Sequence, residues 1–163
     1  MRPILLAAVV ALSVGAQAGA AQSAPPKKLA ASLERIFGRD MRVDSITAGA
    51  ATVIRIRSGD MLRGYAAIRD AMGKDQPITY LVAVDTALAL LDVDILVYRE
   101  PYGGEVAYEP WRRQFRGKQP GDRLDVGREI RGISGATISV NAVTAGIRRA
   151  LSDLAGWRKA GLL

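Results

Sequence analysis

YLVAVDTALALLDVDILV, residues 80–97, is the most apolar run of the chain beyond its N-terminal segment, and its reading decides the fold. Its length invites a membrane-spanning interpretation. Asp85, Asp92 and Asp94 interrupt it, however, and each carboxylate would be costly in hydrocarbon. The run reads instead as a buried hairpin that turns near Asp85. Val93, Ile95 and Val97 share one face and Asp92 and Asp94 the other, the period of two that a strand imposes.

Working outward, three strands are expected at about Leu62 to Asp70, Ile78 to Asp85 and Leu88 to Arg99, with turns at Gly73–Pro77 and around Asp85. Upstream, RVDSITA and ATVIRIRSGD alternate, with Val53 or Ile54 followed by Ile56 between Arg55 and Arg57, and predict two more strands. KLAASLERIFG before them places Leu29, Leu33, Ile36 and Phe37 at helical spacing and stops at Gly38. Downstream, YEPWRRQFRGK predicts a helical turn with Pro110 near its start and Trp111 and Phe115 on one face. A polar connector, KQPGDRLDVGREIRG, leads to the strongest helix, in which Val140, Val143, Ile147, Leu151 and Leu154 recur every three or four residues before Gly156. The expected fold is a single α+β domain: an antiparallel sheet, a short N-terminal helix and a longer C-terminal helix.

Composition narrows the chemistry. The 163 residues suit one core, and 49% hydrophobic with 24% charged residues is ordinary for a globular chain. The absence of cysteine and histidine excludes disulfides, CxxC redox pairs, c-type haem attachment, imidazole zinc sites and Ser-His-Asp or Cys-His hydrolases. Carboxylate metal sites stay open, although the Asp and Glu residues show no EF-hand spacing; no metal ligand is assigned, and with no general acid or base standing out no catalytic residue is assigned either. Redox work would require an organic cofactor.

At the N-terminus, Arg2, the apolar stretch Ile4 to Val14 and small-residue cleavage choices at Ala16–Ala18 or Ala18–Ala20 form a secretory signal pattern. The expected organisation is a signal peptide over 1–21, a leader and short helix over 22–40 and the functional domain over 41–163. A periplasmic or other extracytoplasmic location follows, with an uncleaved inner-membrane anchor as the alternative. Formal charge is 23 minus 16, or +7, and cleavage of the signal removes only Arg2. No nucleic-acid motif accompanies the basic residues Arg112, Arg113, Arg116, Lys118, Arg148, Arg149, Arg158 and Lys159. They read as a solvated face, or as one attracted to anionic lipid or an acidic protein.

GISGATISVNAV, residues 132–143, sets Thr137 among small neighbours at the start of the strongest helix. Two readings stand. Ser134, Thr137 or Ser139 caps the helix, or the free N–H groups and positive end of the helix receive a phosphate. A Walker A loop is excluded, because Gly117-Lys118 lacks the upstream glycine and the following Ser/Thr.

Ser134-Gly135-Ala136-Thr137, with Ile133 and Ile138 on either side and Ser139 after them, resembles the SGAT motif of FMN-binding domains. Such domains occur in the C subunit of the sodium-translocating NADH:quinone reductase, the G subunit of the Rnf complex and small exported proteins. Glu100-Pro101-Tyr102-Gly103-Gly104 resembles the same family's Glu-Thr-Pro-Gly-Leu-Gly loop, and Gln114-Phe115 and Gly117-Lys118 resemble the stretch between the two motifs. The resemblance is strongest over 65–154. It implies FMN bound covalently through a phosphoester to Thr137, attached by a magnesium-dependent flavin transferase that uses FAD. It further implies cofactor contacts at Ser134, Gly135, Ala136, Ser139, Glu100, Tyr102, Gly103, Gly104 and Phe115, with Trp111 as another ring neighbour. Glycines 103 and 104 would let backbone approach the isoalloxazine edge. Where the family usually has aspartate six residues before the threonine, this chain has Arg131, with Glu129 and Asp125 nearby but out of register.

The implied function is an exported electron carrier, or a subunit of an oxidoreductase system, rather than a stand-alone enzyme. Its implied partners are the transferase and a membrane redox protein, ferric-reductase-like or quinone-linked, with peripheral membrane contact and no nucleic acid. The alternative is a cofactor-free or noncovalent FMN-binding module whose basic surface holds an anionic membrane or protein partner.

Overall fold

The computed structural model describes residues 26–163; the expected signal peptide lies outside the described residues. α1, Pro26–Phe37, ends at Gly38, whose left-handed backbone (φ 91°) turns its N–H onto the Glu34 carbonyl. Five strands follow: β1 Met41–Ala48, β2 Ala51–Ser58, β3 Met61–Met72, β4 Pro77–Asp85 and β5 Leu90–Val97. They form one antiparallel meander in sequence order. The first two connections are two-residue turns that open on Gly49 (φ 62°) and Gly59 (φ 58°), a conformation that costs other residues strain. Beyond the sheet come a 3₁₀ turn at Gly104–Ala107, the single helical turn α2 at Glu109–Arg112, a second 3₁₀ turn at Arg113–Phe115, and α3, Thr137–Lys159.

The sheet is covered on both faces. On one, Val53, Tyr65, Ile78, Tyr80, Val82, Val84, Val93 and Ile95 pack with Val140, Val143, Ile147, Leu151 and Leu154 of α3, together with Val106, Trp111, Phe115, Leu124 and Ile130. On the other, Ile56, Ala66, Leu81, Ala83 and Leu96 pack beneath Leu33 of α1, with Leu29, Ile36 and Phe37 alongside. β4 is therefore buried along almost its whole length, which is why 80–84 reads as an unbroken apolar run instead of alternating.

Three expectations change. Val97 does not share a face with Val93 and Ile95. Tyr80 pairs with Ile95 and Thr79 with Val97, so Leu96 is an extra residue, and the bulge turns Leu96 and Val97 toward α1. Leu88 belongs to the turn before β5, where its φ is 68° and the Asp85 carboxylate accepts the N–H groups of Ala87 and Ala89. α3 runs through Gly156 to Lys159, because Trp157 packs on the core under the Arg69 guanidinium, 5.1 Å from its ring centroid. Gly161 (φ 72°) then ends the helix.

Asp92 and Asp94 share one face of β5 as expected, and that face meets α1. Arg35 reaches both, at 2.5 and 3.1 Å, and Ser32 donates to Asp94 at 2.7 Å. From α2, buried Arg112 lies 3.5 Å from each carboxylate and donates to the Val93 and Ala107 carbonyls. Arg116 lies 3.6 Å from Asp92 and 3.1 Å from Glu109.

Removing Asp92 leaves Arg112 charged and enclosed, so Asp92→Ala is expected to lower the unfolding free energy by about 3 kcal/mol in urea titration, more than Asp94→Ala. A Cβ on Gly146 would collide with the hydroxyl of Tyr80, which is 1% exposed. Gly146→Ala is expected to cost about 1–3 kcal/mol, with Tyr80→Phe recovering part of it in the double variant.

Candidate functional site

The connector reaches α3 through a tight turn in which Ala136 N–H bonds the Ile133 carbonyl at 3.0 Å, with Ser134 and Gly135 at the centre. Gly135 has φ 81°, and a Cβ there would meet nothing within 4 Å, so conformation and not space requires the glycine. Ala136 occupies the N-cap position and is buried, and its carbonyl accepts the Val140 N–H at 2.9 Å. Thr137 is the first helical residue and is exposed, as is Ser134.

No side chain caps this helix. The capping reading of Ser134, Thr137 or Ser139 is thereby corrected: Ser134 stands in the turn, Thr137 is already inside the helix, and Ser139 is engaged elsewhere. The first-turn N–H groups keep no intrahelical partner and carry the positive end of a 23-residue helix.

Ser139, 5% exposed, pairs with the Tyr98 hydroxyl at 2.8 Å. Tyr98 in turn donates to the Tyr102 carbonyl at 2.5 Å, which makes Ser139 the donor to Tyr98. Gly103 (φ 87°) fits beneath them: a Cβ there would lie 2.7 Å from Tyr98 Oη, 2.8 Å from Ser139 Oγ and 3.5 Å from Ala136 Cβ. The structure thus brings the Glu100–Gly104 loop and the SGAT turn into direct contact. Gly103 is accounted for by this packing of loop on helix, with its face already filled.

The remaining candidate residues have separate places. Glu100 accepts the N–H groups of Asp75 at 2.7 Å and Gln76 at 3.0 Å, and so clamps the β3–β4 turn. The Gln76 and Asp75 amides hold its carboxyl below the usual glutamate range. Gly73 makes room for it, since a Cβ would stand 2.5 Å from its Oε1. Tyr102 is 83% exposed. Gly104 lies against the Tyr98 ring, 3.6 Å from a Cβ position. Phe115 is fully buried and meets Trp111 edge to face at 5.0 Å, so its ring offers no accessible face. Trp111 donates to the Arg131 carbonyl at 3.0 Å and Gln114 accepts the Arg131 N–H at 2.8 Å, which fixes the backbone leading to Thr137 while the Arg131 side chain stays exposed. Tyr98 was not a candidate in the sequence; at the end of a strand, 41 residues from Ser139, it carries no local signal of this pairing.

Gly103→Ala is expected to separate the loop from α3 and lower the melting temperature more than Gly104→Ala, since it meets both a positive φ and two contacts below 3.0 Å. Because the folded Glu100 carboxyl ionises below its unfolded value, its clamp is complete above the ordinary glutamate pKa and fades as pH falls through the lowered one. Hydrogen exchange at the Asp75 and Gln76 amides should accelerate in that acidic window, and in Glu100→Ala at neutral pH.

No curated protein matches the chain. A sequence model of the family described as "FMN-binding domain" matches residues 73–152, a span that starts in the β3–β4 turn held by Glu100 and runs through the Gly103 loop and the Thr137 turn into α3. Residues 73–152, which hold the Gly103 loop and the Thr137 turn, are thus similar to the FMN-binding domain family.

Proposed function

We propose that the protein is an exported flavoprotein electron carrier with FMN joined through a phosphoester to the Thr137 hydroxyl. The observation that supports this most is an exposed threonine at the first position of an uncapped helix, flanked by a Ser-Gly turn that leaves its approach open. A phosphate bonded there meets first-turn N–H groups and the helix dipole, so the residues present fit the group. FMN, when bound, supplies one- and two-electron transfer, and the chain supplies attachment and surroundings. In maturation the Thr137 oxygen would bond to the phosphorus of the FMN half of FAD as the pyrophosphate bond breaks, with AMP leaving and the hydroxyl proton released. Thr137 is then a modified residue and not a catalyst. Arg131, exposed six residues earlier where the family's aspartate usually stands, adds a cation to the approach of an anionic dinucleotide. A membrane redox protein as donor and an extracytoplasmic acceptor complete this reading.

Intact mass and in-gel flavin fluorescence of denatured protein, coexpressed for export with a flavin transferase, test it. One FMN adduct in the wild type, retained in Ser134→Ala and absent from Thr137→Ala, is expected. An unlabelled wild type beside a labelled control protein would refute covalent attachment and leave a noncovalent binding module.

A further inference from the structure

The two edges of the sheet differ. β5 is closed: Leu90 N–H donates to the Lys118 carbonyl at 2.8 Å, Gly117 N–H donates to the Leu90 carbonyl at 2.7 Å, and Arg112 donates to the Val93 carbonyl. β1, Met41–Ala48, pairs with β2 on one side only, and among the described residues nothing bonds the backbone of its other side. Arg42, Val43, Asp44 and Ser45 are exposed in succession. Proteins commonly blunt such an edge with proline, lysine or a bulge. β1 contains neither residue and pairs with β2 along its whole length without a register shift.

The charges of this edge say what fits it. Arg42 stands directly opposite Arg57 of β2, a like-charge pair, and makes no ion pair among the described residues. Asp44 accepts from Arg55 Nε at 3.1 Å and keeps lone pairs for a second cation. Two identical edges pair antiparallel about a two-fold axis normal to the sheet, which runs between one residue and its own copy. An axis at Arg42 opposes two arginines, and one at Asp44 opposes two aspartates. Axes at Ser45 and Ile46 leave Arg42 without a carboxylate, and one at Met41 overlaps only the first residue of the strand. An axis at Val43 sets Arg42 of each copy against Asp44 of the other. Val43 itself is 50% exposed, on the face where its neighbour Ile56 packs beneath α1, and there it meets Val43 of the second copy.

We propose that β1 is the docking edge for a second copy of this chain, paired antiparallel about Val43 so that two sheets become one. Reciprocal Arg42–Asp44 pairs set the register, and main-chain hydrogen bonds over Met41–Ser45 supply the contact. The axis leaves both α1 helices on one face of the joined sheet and both α3 helices on the other. Ser139 and Tyr98 hold the start of α3 beyond β5, at the opposite edge from β1, so both Thr137 turns stay open. The contact is small beside a standard interface of about 1,600 Å², and association is therefore reversible and concentration-dependent. It does not depend on attachment at Thr137.

Sedimentation of the purified full chain over a rising concentration series tests this. The wild type is expected to pass from monomer toward dimer. Arg42→Glu opposes Asp44 of the second copy and should raise the dimer dissociation constant about tenfold. It should leave the melting temperature of the dilute monomer unchanged or higher, because it removes the opposition of Arg42 to Arg57. The chain has no cysteine, so a single introduced thiol reports the register. Val43→Cys should form a disulfide-linked dimer under mild oxidation several-fold faster than Ser45→Cys. A wild type that stays monomeric throughout overturns the proposal and leaves the edge to a strand of another protein. Association undiminished in Arg42→Glu, or linkage at Ser45→Cys as fast as at Val43→Cys, overturns it as well.

Discussion

A carboxylate enclosed by protein is costly unless opposite charges and hydrogen-bond donors surround it, and Asp92, 2% exposed in β5, imposes that constraint on the molecule. Arg35 comes to it from α1, and Arg112 and Arg116 from the segment beyond β5. These cations belong to different parts of the chain, so satisfying one carboxylate places α1 over one face of the sheet and draws α2 against β5. Such a cluster adds little net stability over an apolar replacement, but its geometry is demanding and penalises alternatives. Its influence extends to the site. Trp111 and Gln114, in the same short segment as Arg112, hold the backbone of Arg131 by its carbonyl and N–H. The turn that presents Thr137 begins two residues later.

The site is an opening beside a closely bonded set of groups. Around it, Tyr98, Ser139 and the Tyr102 carbonyl share hydrogen bonds, Glu100 satisfies the amides of a distant turn, and Gly103 closes the space between loop and helix. At the start of α3 the pattern stops, with no capping side chain. The exposed hydroxyl and the uncompensated helix end coincide within one turn, the arrangement that an anionic group tethered to Thr137 requires.

Much of this was legible in the chain. Aspartates at 85, 92 and 94 made a membrane span of residues 80–97 too costly, and the five strands lie close to where alternation, the apolar run and the turn residues predicted them. Thr137 was conspicuous because its neighbours are small. Local pattern failed where a distant partner decided the outcome. The bulge at Leu96 reverses the face of Val97, and the core contact of Trp157 carries α3 past a glycine that reads as a stop. The spacing of Trp111 and Phe115 predicted a shared face, but helical spacing does not report what covers that face, and Phe115 is fully enclosed.

The sequence by itself determined the class of fold and the place of Thr137 at the start of the strongest helix, because periodicity, turn glycines and small residues act through neighbours a few positions apart. Only the tertiary structure decided that Glu100 clamps a turn, that Tyr98 joins Ser139, and that no side chain caps α3. Each of those depends on groups far apart in the chain meeting at hydrogen-bond or van der Waals distance, and only packing sets such distances.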